Sequence, residues 1–270
     1  MPPTRSQLAD EIATRLRTHG DRLRADWSAA EPFAHFALDA CLPPGVAEDL
    51  AARFPGHAQL MARDTLRERK RVGVDVERYD PAIGEALFAF QQPAVVEAIA
   101  AIMGIRGLEP DPTLYASGLS SMGPGDFLQP HLDNSHDGDG IRYRALNVLF
   151  YLTPDWRDDE GGALELWDEG VERALPLAPR FGRMVVMATD AHSWHSVARV
   201  RSQRERRCVS NYYFTREAPG GWPYRHVTSF AGRPEQRLRR AWLRADSAAR
   251  NVLGRALPFL LRRSRHRRRE

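Results

Sequence analysis

The sequence predicts a mainly β domain, a sandwich or barrel of short strands, flanked by helices on both sides. Three observations predict it. Between residues 113 and 214, short apolar or alternating runs are separated by turn clusters at 123–126, 134–140, 155–162 and 176–182. That regular punctuation is the texture of a sandwich or barrel. On either side, apolar residues recur at helical spacing instead. No repeat or low-complexity linker divides the chain, and 270 residues are enough to bury one sizeable core. The expected organisation is one structural domain in three parts: a support region over 1–112, a β core over 113–218 and a basic extension over 219–270.

The elements follow in order. Residues 6–27 carry Leu8, Ile12, Leu16 and Leu23 at helical spacing among charges. Residues 33–39 alternate as a short strand does. Pro43, Pro44 and Gly45 break the chain before a helical stretch at 46–54. The Arg-rich residues 63–80 predict a loop with short strands. Residues 85–103 predict helix, with Pro93 starting a new one. After the β core the chain is irregular beyond Pro219, then helical and very basic from Pro234.

Composition bounds the rest. Hydrophobic residues at 43% and charged residues at 27% suit an ordinary globular protein. The net charge of +4 hides an asymmetry, because twelve Arg stand against Asp246 and Glu270 after Gln236. The tail is strongly basic and the body mildly acidic. Lys70 is the only lysine. Cys41 and Cys208 are too few and too far apart for a disulfide framework or a thiolate metal site. The first residues lack the apolar run of a secretory signal. No apolar stretch is expected to cross a bilayer. A cytoplasmic location is the expectation.

The chemistry begins at Gln129-Pro-His-Leu-Asp-Asn. Residues i and i+2 of a strand face the same side, so His131 and Asp133 aim at one point. Residues 184–197 supply a strand, a turn and two further candidates, His192 and His195. Two imidazoles and a carboxylate on one face form the triad of non-haem Fe(II) oxygenases, with three positions left open. A His-x-Asp pair alone is a weak signal; His136 and Asp137 read as a loop feature.

In sequence order, Pro124-Gly125 with Asp126 to Pro130, the strand from Asn147 to Trp156, Gly161-Gly-Ala-Leu-Glu-Leu-Trp, Trp194-His-Ser-Val and Arg206-Arg-Cys-Val-Ser-Asn-Tyr-Tyr-Phe resemble the prolyl-hydroxylase-like branch of the 2-oxoglutarate/Fe(II) oxygenases. The resemblance covers about a third of the chain. It implies a double-stranded β-helix, a jelly-roll barrel. It also implies Fe(II), 2-oxoglutarate and O2 as cofactor and co-substrates, with ascorbate as reductant. His195 then completes the triad with His131 and Asp133, and His192 is a turn residue.

The family anchors the distal carboxylate of 2-oxoglutarate with a cation shortly after the second histidine. Arg199, Arg201, Arg204, Arg206 and Arg207 lie there. Alternation groups Arg206, Cys208, Ser210 and Tyr212 on one face, so Arg206 with Ser210 fits the family's inner pair and Arg207 is second choice. Tyr151 matches a co-substrate tyrosine, sharing its face with Asn147 and Leu149. Leu164 and Leu166 form apolar walls. Trp156 and Trp194 read as packing. Ser121 and Met122 stand where many relatives carry a tyrosine, so no role transfers there.

The implied activity is hydroxylation of a substrate C–H bond with release of succinate and CO2. Asp133 favours this over halogenation, for which relatives carry a small residue at that position. The competing readings are a metal-binding jelly-roll without turnover and a zinc hydrolase. The substrate is a small molecule or a peptide. No nucleic-acid module is expected. The amphipathic residues 238–261 and the Arg-rich tail suit weak contact with an anionic surface.

Overall fold

The computed structural model describes residues 2–256. Its N-terminal helices are α1 (Arg5–Thr18), α2 (Gly20–Ala29), α3 (Pro44–Arg53), α4 (Pro81–Ala89) and α5 (Pro93–Met103). Thr4 caps α1 in a reciprocal exchange with Gln7. The helical stretch expected over 6–27 is two helices, broken at His19, because Gly20 carries a poor helix propensity and lets the chain turn. Pro44, Pro81 and Pro93 each open a helix, where the missing N–H costs nothing. Asp80 caps α4, so that helix begins earlier than the apolar pattern implied.

Residues Pro81–Met103 are long and apolar enough to cross a membrane, which corrects the expectation that no stretch reaches that length. The stretch is two helices, and most of it is buried against the protein's own core.

The strands are β1 (His35–Leu38), β2 (Met61–Asp64), β3 (Glu68–Gly73), β4 (Glu109–Pro110), β5 (Gly118–Met122), β6 (Phe127–Leu132), β7 (Tyr143–Tyr151), β8 (Leu164–Trp167), β9 (Ala174–Leu177), β10 (Met184–Ala188), β11 (His195–Val197), β12 (Arg206–Thr215) and β13 (Ser229–Phe230). All pair antiparallel in one curled sheet, ten of them in the order β1-β10-β7-β12-β5-β3-β6-β11-β8-β9, with β2 beside β3, β4 beside β12 and β13 beside β6. The curl is a double-stranded β-helix. The side chain of Arg206 on β12 reaches the carbonyl of Gly162, just ahead of β8, across its interior.

Alternation along the strands divides the packing. Leu146, Val148 and Phe150 of β7, with Val186 and Tyr213, face outward and pack on Leu8, Ile12, Leu87 and Ile99 of the helices. Tyr151, Leu164, Leu166, Met187 and Cys208 face inward and line the barrel. Each such apolar side chain contributes roughly 1.5–3 kcal/mol, so the helices stiffen the sheet from behind. The Tyr213 hydroxyl donates to the Phe90 carbonyl at 2.6 Å and ties β12 to the end of α4.

The last helix, α6 (Arg237–Ala256), turns Leu243 and Ser247 inward. Leu238, Trp242 and Val252 are exposed. The expected basic tail from Arg262 to Arg269 lies outside the described residues.

Candidate metal centre

Two local distortions build the site. Opposite Val197 and His195 of β11, β6 advances from Leu128 to His131, one residue too many. Such a bulge re-aims side chains, and here both Leu128 and His131 face the interior. His131 then lies directly across from His195. Asp133 follows at the end of β6. Ligand-capable atoms of His131, Asp133 and His195 all lie within 4.8 Å of one another.

The imidazoles are set for a cation. His131 Nδ1 meets the Gln129 carbonyl at 3.0 Å, and His195 Nδ1 meets the Ser193 carbonyl at 2.9 Å. Those contacts place the protons on Nδ1 and leave the Nε2 lone pairs facing the centre. The Nε2 atoms stand 3.7 Å from Asp133 Oδ1 and from Asp133 Oδ2 respectively. Burial, then the neighbouring His195, pushes His131 down to about 3. Burial lowers His195 as well. Burial alone would raise Asp133, but Arg144 and the two imidazoles hold it well below the usual carboxylate range. Asp133 Oδ2 is buried and has no hydrogen-bond donor. Neutral imidazoles, an ionised carboxylate and an orphaned oxygen fit a divalent ion.

Arg144 was not singled out from the sequence. Its Nη1 lies 3.2 Å from Asp133 Oδ1, and its Nη2 donates to Asn134 Oδ1 at 3.1 Å. Alternation from Asn147 and Tyr151 would turn Arg144 outward. A register shift opposite Tyr213 and Phe214 reverses it. The guanidinium also lies 4.3 Å from the ring centroid of Tyr212. The Tyr212 hydroxyl donates to Asp133 and accepts from Asn147 Nδ2 at 2.9 Å. Asp133 is therefore gripped on its outer side while Oδ2 stays free.

Arg206, on the same face of β12 as the inward Cys208, is 3% exposed. Its Nε donates to the Gly162 carbonyl at 2.6 Å and its Nη2 to the Tyr151 hydroxyl at 3.2 Å. No described carboxylate lies within ion-pair distance of it. Arg207 points the other way, to the Ala51 carbonyl and Glu205. Arg199 and Arg204 lie in surface contacts with Gly125 and Glu160. Asn147 is buried with Oδ1 unpaired. The Ser210 hydroxyl donates to the Gly118 carbonyl at 3.1 Å. Leu164 and Leu166 line the barrel interior.

Other candidates fall away. His192 is exposed and pairs with Glu169 at 2.8 Å. His136 contacts Ser135 and lies tilted against the Tyr143 ring. Trp156 donates to the Gly161 carbonyl, and Trp194 packs near Trp167. The sole lysine, Lys70, pairs with Glu68 at 3.0 Å on β3, close enough to His131 and His195 to repel their protons. Register with Ser120 and Cys208 turns this pair inward; only the fold shows it.

Residues 117–215 match the 2OG-Fe(II) oxygenase superfamily. The fold is similar to a Pseudomonas putida prolyl-4-hydroxylase, at 21% identity and TM-score 0.53, covering 72% of this chain and 99% of that one. It is also similar to a Phytophthora capsici prolyl 4-hydroxylase, at 16% identity and TM-score 0.55, with 92% and 78% covered. A third likeness is the non-heme alpha ketoglutarate dependent epimerase SnoN from nogalamycin biosynthesis, at 12% identity and TM-score 0.54, with 82% and 87% covered. At such identities these structures establish the fold. Among curated proteins, none matches. The β-helix of this chain thus houses, over residues 117–215, a segment that matches the 2OG-Fe(II) oxygenase superfamily, whose enzymes use Fe(II), 2-oxoglutarate and O2.

Proposed function

We propose that the protein hydroxylates a C–H bond of its substrate, with His131, Asp133 and His195 as iron ligands and Arg206 as the anchor of 2-oxoglutarate. The observation that carries this is a convergent His-Asp-His set, with a buried, carboxylate-free guanidinium in the same barrel. Bound Fe(II) supplies dioxygen activation, with 2-oxoglutarate giving two electrons and leaving as succinate and CO2.

The chain's own residues prepare that chemistry. The backbone carbonyls of Gln129 and Ser193 fix both imidazole tautomers. Arg144 and Tyr212 hold Asp133 so that one oxygen faces the metal. Arg206 offers a fork to a carboxylate, a bidentate geometry that lysine lacks. Tyr151 adds a hydroxyl beside it. Asn147 and Ser210 share that inner face. Leu164 and Leu166 keep the space dry, which strengthens each charge contact.

The test is succinate release from 2-oxoglutarate with Fe(II) and ascorbate, without prime substrate. Slow turnover that is abolished in His131→Ala supports the reading. Zinc-dependent hydrolysis indifferent to 2-oxoglutarate refutes it. We also place the protein in the cytoplasm, a reading supported by two buried free thiols, Cys41 and Cys208. Weak contact of α6 with an anionic surface is supported by exposed Leu238, Trp242 and Val252 among arginines.

A further inference from the structure

A pocket of about 780 Å³ lies between residues 223–230, the turn before β11, and α6. Its apolar lining includes Leu132, Trp194 and Phe230. Two of the three come from the segments that carry the triad: Leu132 lies between His131 and Asp133 in sequence, and Trp194 precedes His195. The Phe230 ring stacks on His131 at 5.3 Å and 19°. His226, on the pocket wall, is near enough to Asp133 to feel its charge.

The wall is polar in a particular way. Tyr224 and His226 stack at 5.7 Å and 14°. Tyr224 Oη and His226 Nε2 are both buried and both lack a hydrogen-bond partner. Buried polar atoms are rarely left unpaired without a reason. The charged residues of the lining are Arg225 and Arg244, with no acidic side chain among them. Arg225 donates to the Gly140 carbonyl and Arg244 to the Gly170 carbonyl. Neither has a described carboxylate partner. Most of this lining comes from residues after 215, beyond the segment that matches the superfamily.

We propose that this pocket holds the prime substrate, a small planar apolar molecule with one anionic group, rather than a peptide. Its size is that of a small-molecule site. The aromatic surfaces cover the ring system, Tyr224 and His226 hydrogen-bond a polar substituent, and the two arginines pair with the anion. The substrate role rests on the oxygenase reading, since the bound C–H must face iron. Anion binding does not.

Two dyes of one skeleton separate these claims: 8-anilinonaphthalene-1-sulfonate and neutral N-phenyl-1-naphthylamine. Fluorescence titration of the full-length, metal-free protein should show one saturable site with at least tenfold preference for the sulfonate. The Arg225→Gln/Arg244→Gln variant should lose that preference, bind the neutral dye as before and melt at the unchanged temperature. Equal affinity for both dyes, or a preference that survives the double variant, overturns the pocket's assignment. With Mn(II) added, proton resonances of the bound sulfonate should broaden in the wild type and not in His131→Ala. Arg-dependent binding without broadening, in protein shown by electron paramagnetic resonance to hold Mn(II), overturns the substrate role alone. Failure to hold Mn(II) overturns the oxygenase reading, and the substrate role with it, while the anion site stands.

Discussion

Arg144 and Asp133 are buried charges that depend on each other. Removing one partner of a buried pair costs about 3–5 kcal/mol, because the other is left uncompensated. Asp133→Ala is therefore expected to lower the stability of the metal-free protein by about that amount in urea unfolding. Adding Arg144→Met should recover most of the loss, and a failure to recover would mean that the two do not act as a pair. Arg206 offers a separate test. Truncating one partner of a buried charge pair costs about 2–5 kcal/mol of binding. Arg206→Met should raise the KM for 2-oxoglutarate by a factor of about thirty or more, since 1.4 kcal/mol is about tenfold. Arg207→Met, whose guanidinium points to Ala51, should leave that KM near the wild-type value.

At the scale of elements, bulges and tight glycines aim the site. The extra residue in β6 turns His131 inward, and the register shift in β7 turns Arg144 inward. The glycine pair before β8 works the same way. Gly162 has φ of +68°, and a Cβ there would stand 3.0 Å from Arg206 Cδ. A left-handed alanine costs roughly 1–2 kcal/mol. Gly162→Ala is thus predicted to lower thermal stability and also to raise the KM for 2-oxoglutarate several-fold by displacing Arg206. A stability loss with unchanged KM would show that Gly162 serves the turn alone.

For the whole molecule, histidine burial sets the response to acid. Burial lowers His131 to about 3 and His136 to about 4, and lowers His195 and His226. Each binds a proton more readily when the chain is unfolded. Between the folded values and the ordinary histidine value near 6.5, the unfolded chain holds more protons, so stability rises with pH. Unfolding midpoints of the metal-free protein should therefore fall steadily from pH 6.5 toward pH 4. The metal-loaded protein should lose stability more steeply over that range, because protons compete for both Nε2 atoms. A flat profile would show that these rings are solvated.

Local rules made much of this legible in the sequence. Alternation paired His131 with Asp133 and put Arg206 with Ser210 on one face, because a strand repeats every two residues whatever surrounds it; that this face is the inner one came from the family resemblance. Turn residues marked the β core for the same reason, and prolines marked the break before α3 and the start of α5, whereas the start of α4 at Pro81 went unmarked. What depends on distance along the chain stayed hidden. Arg144 broke the alternation through a bulge that only its pairing with β12 reveals. Lys70 and Glu68 read as loop charges until β3 took its place beside β5. The pocket under α6 joins residues from 132 to 251, and no local pattern announces a cavity. Backbone periodicity is a property of a few neighbouring residues, whereas bulges, registers and cavities exist only once separate strands have packed together.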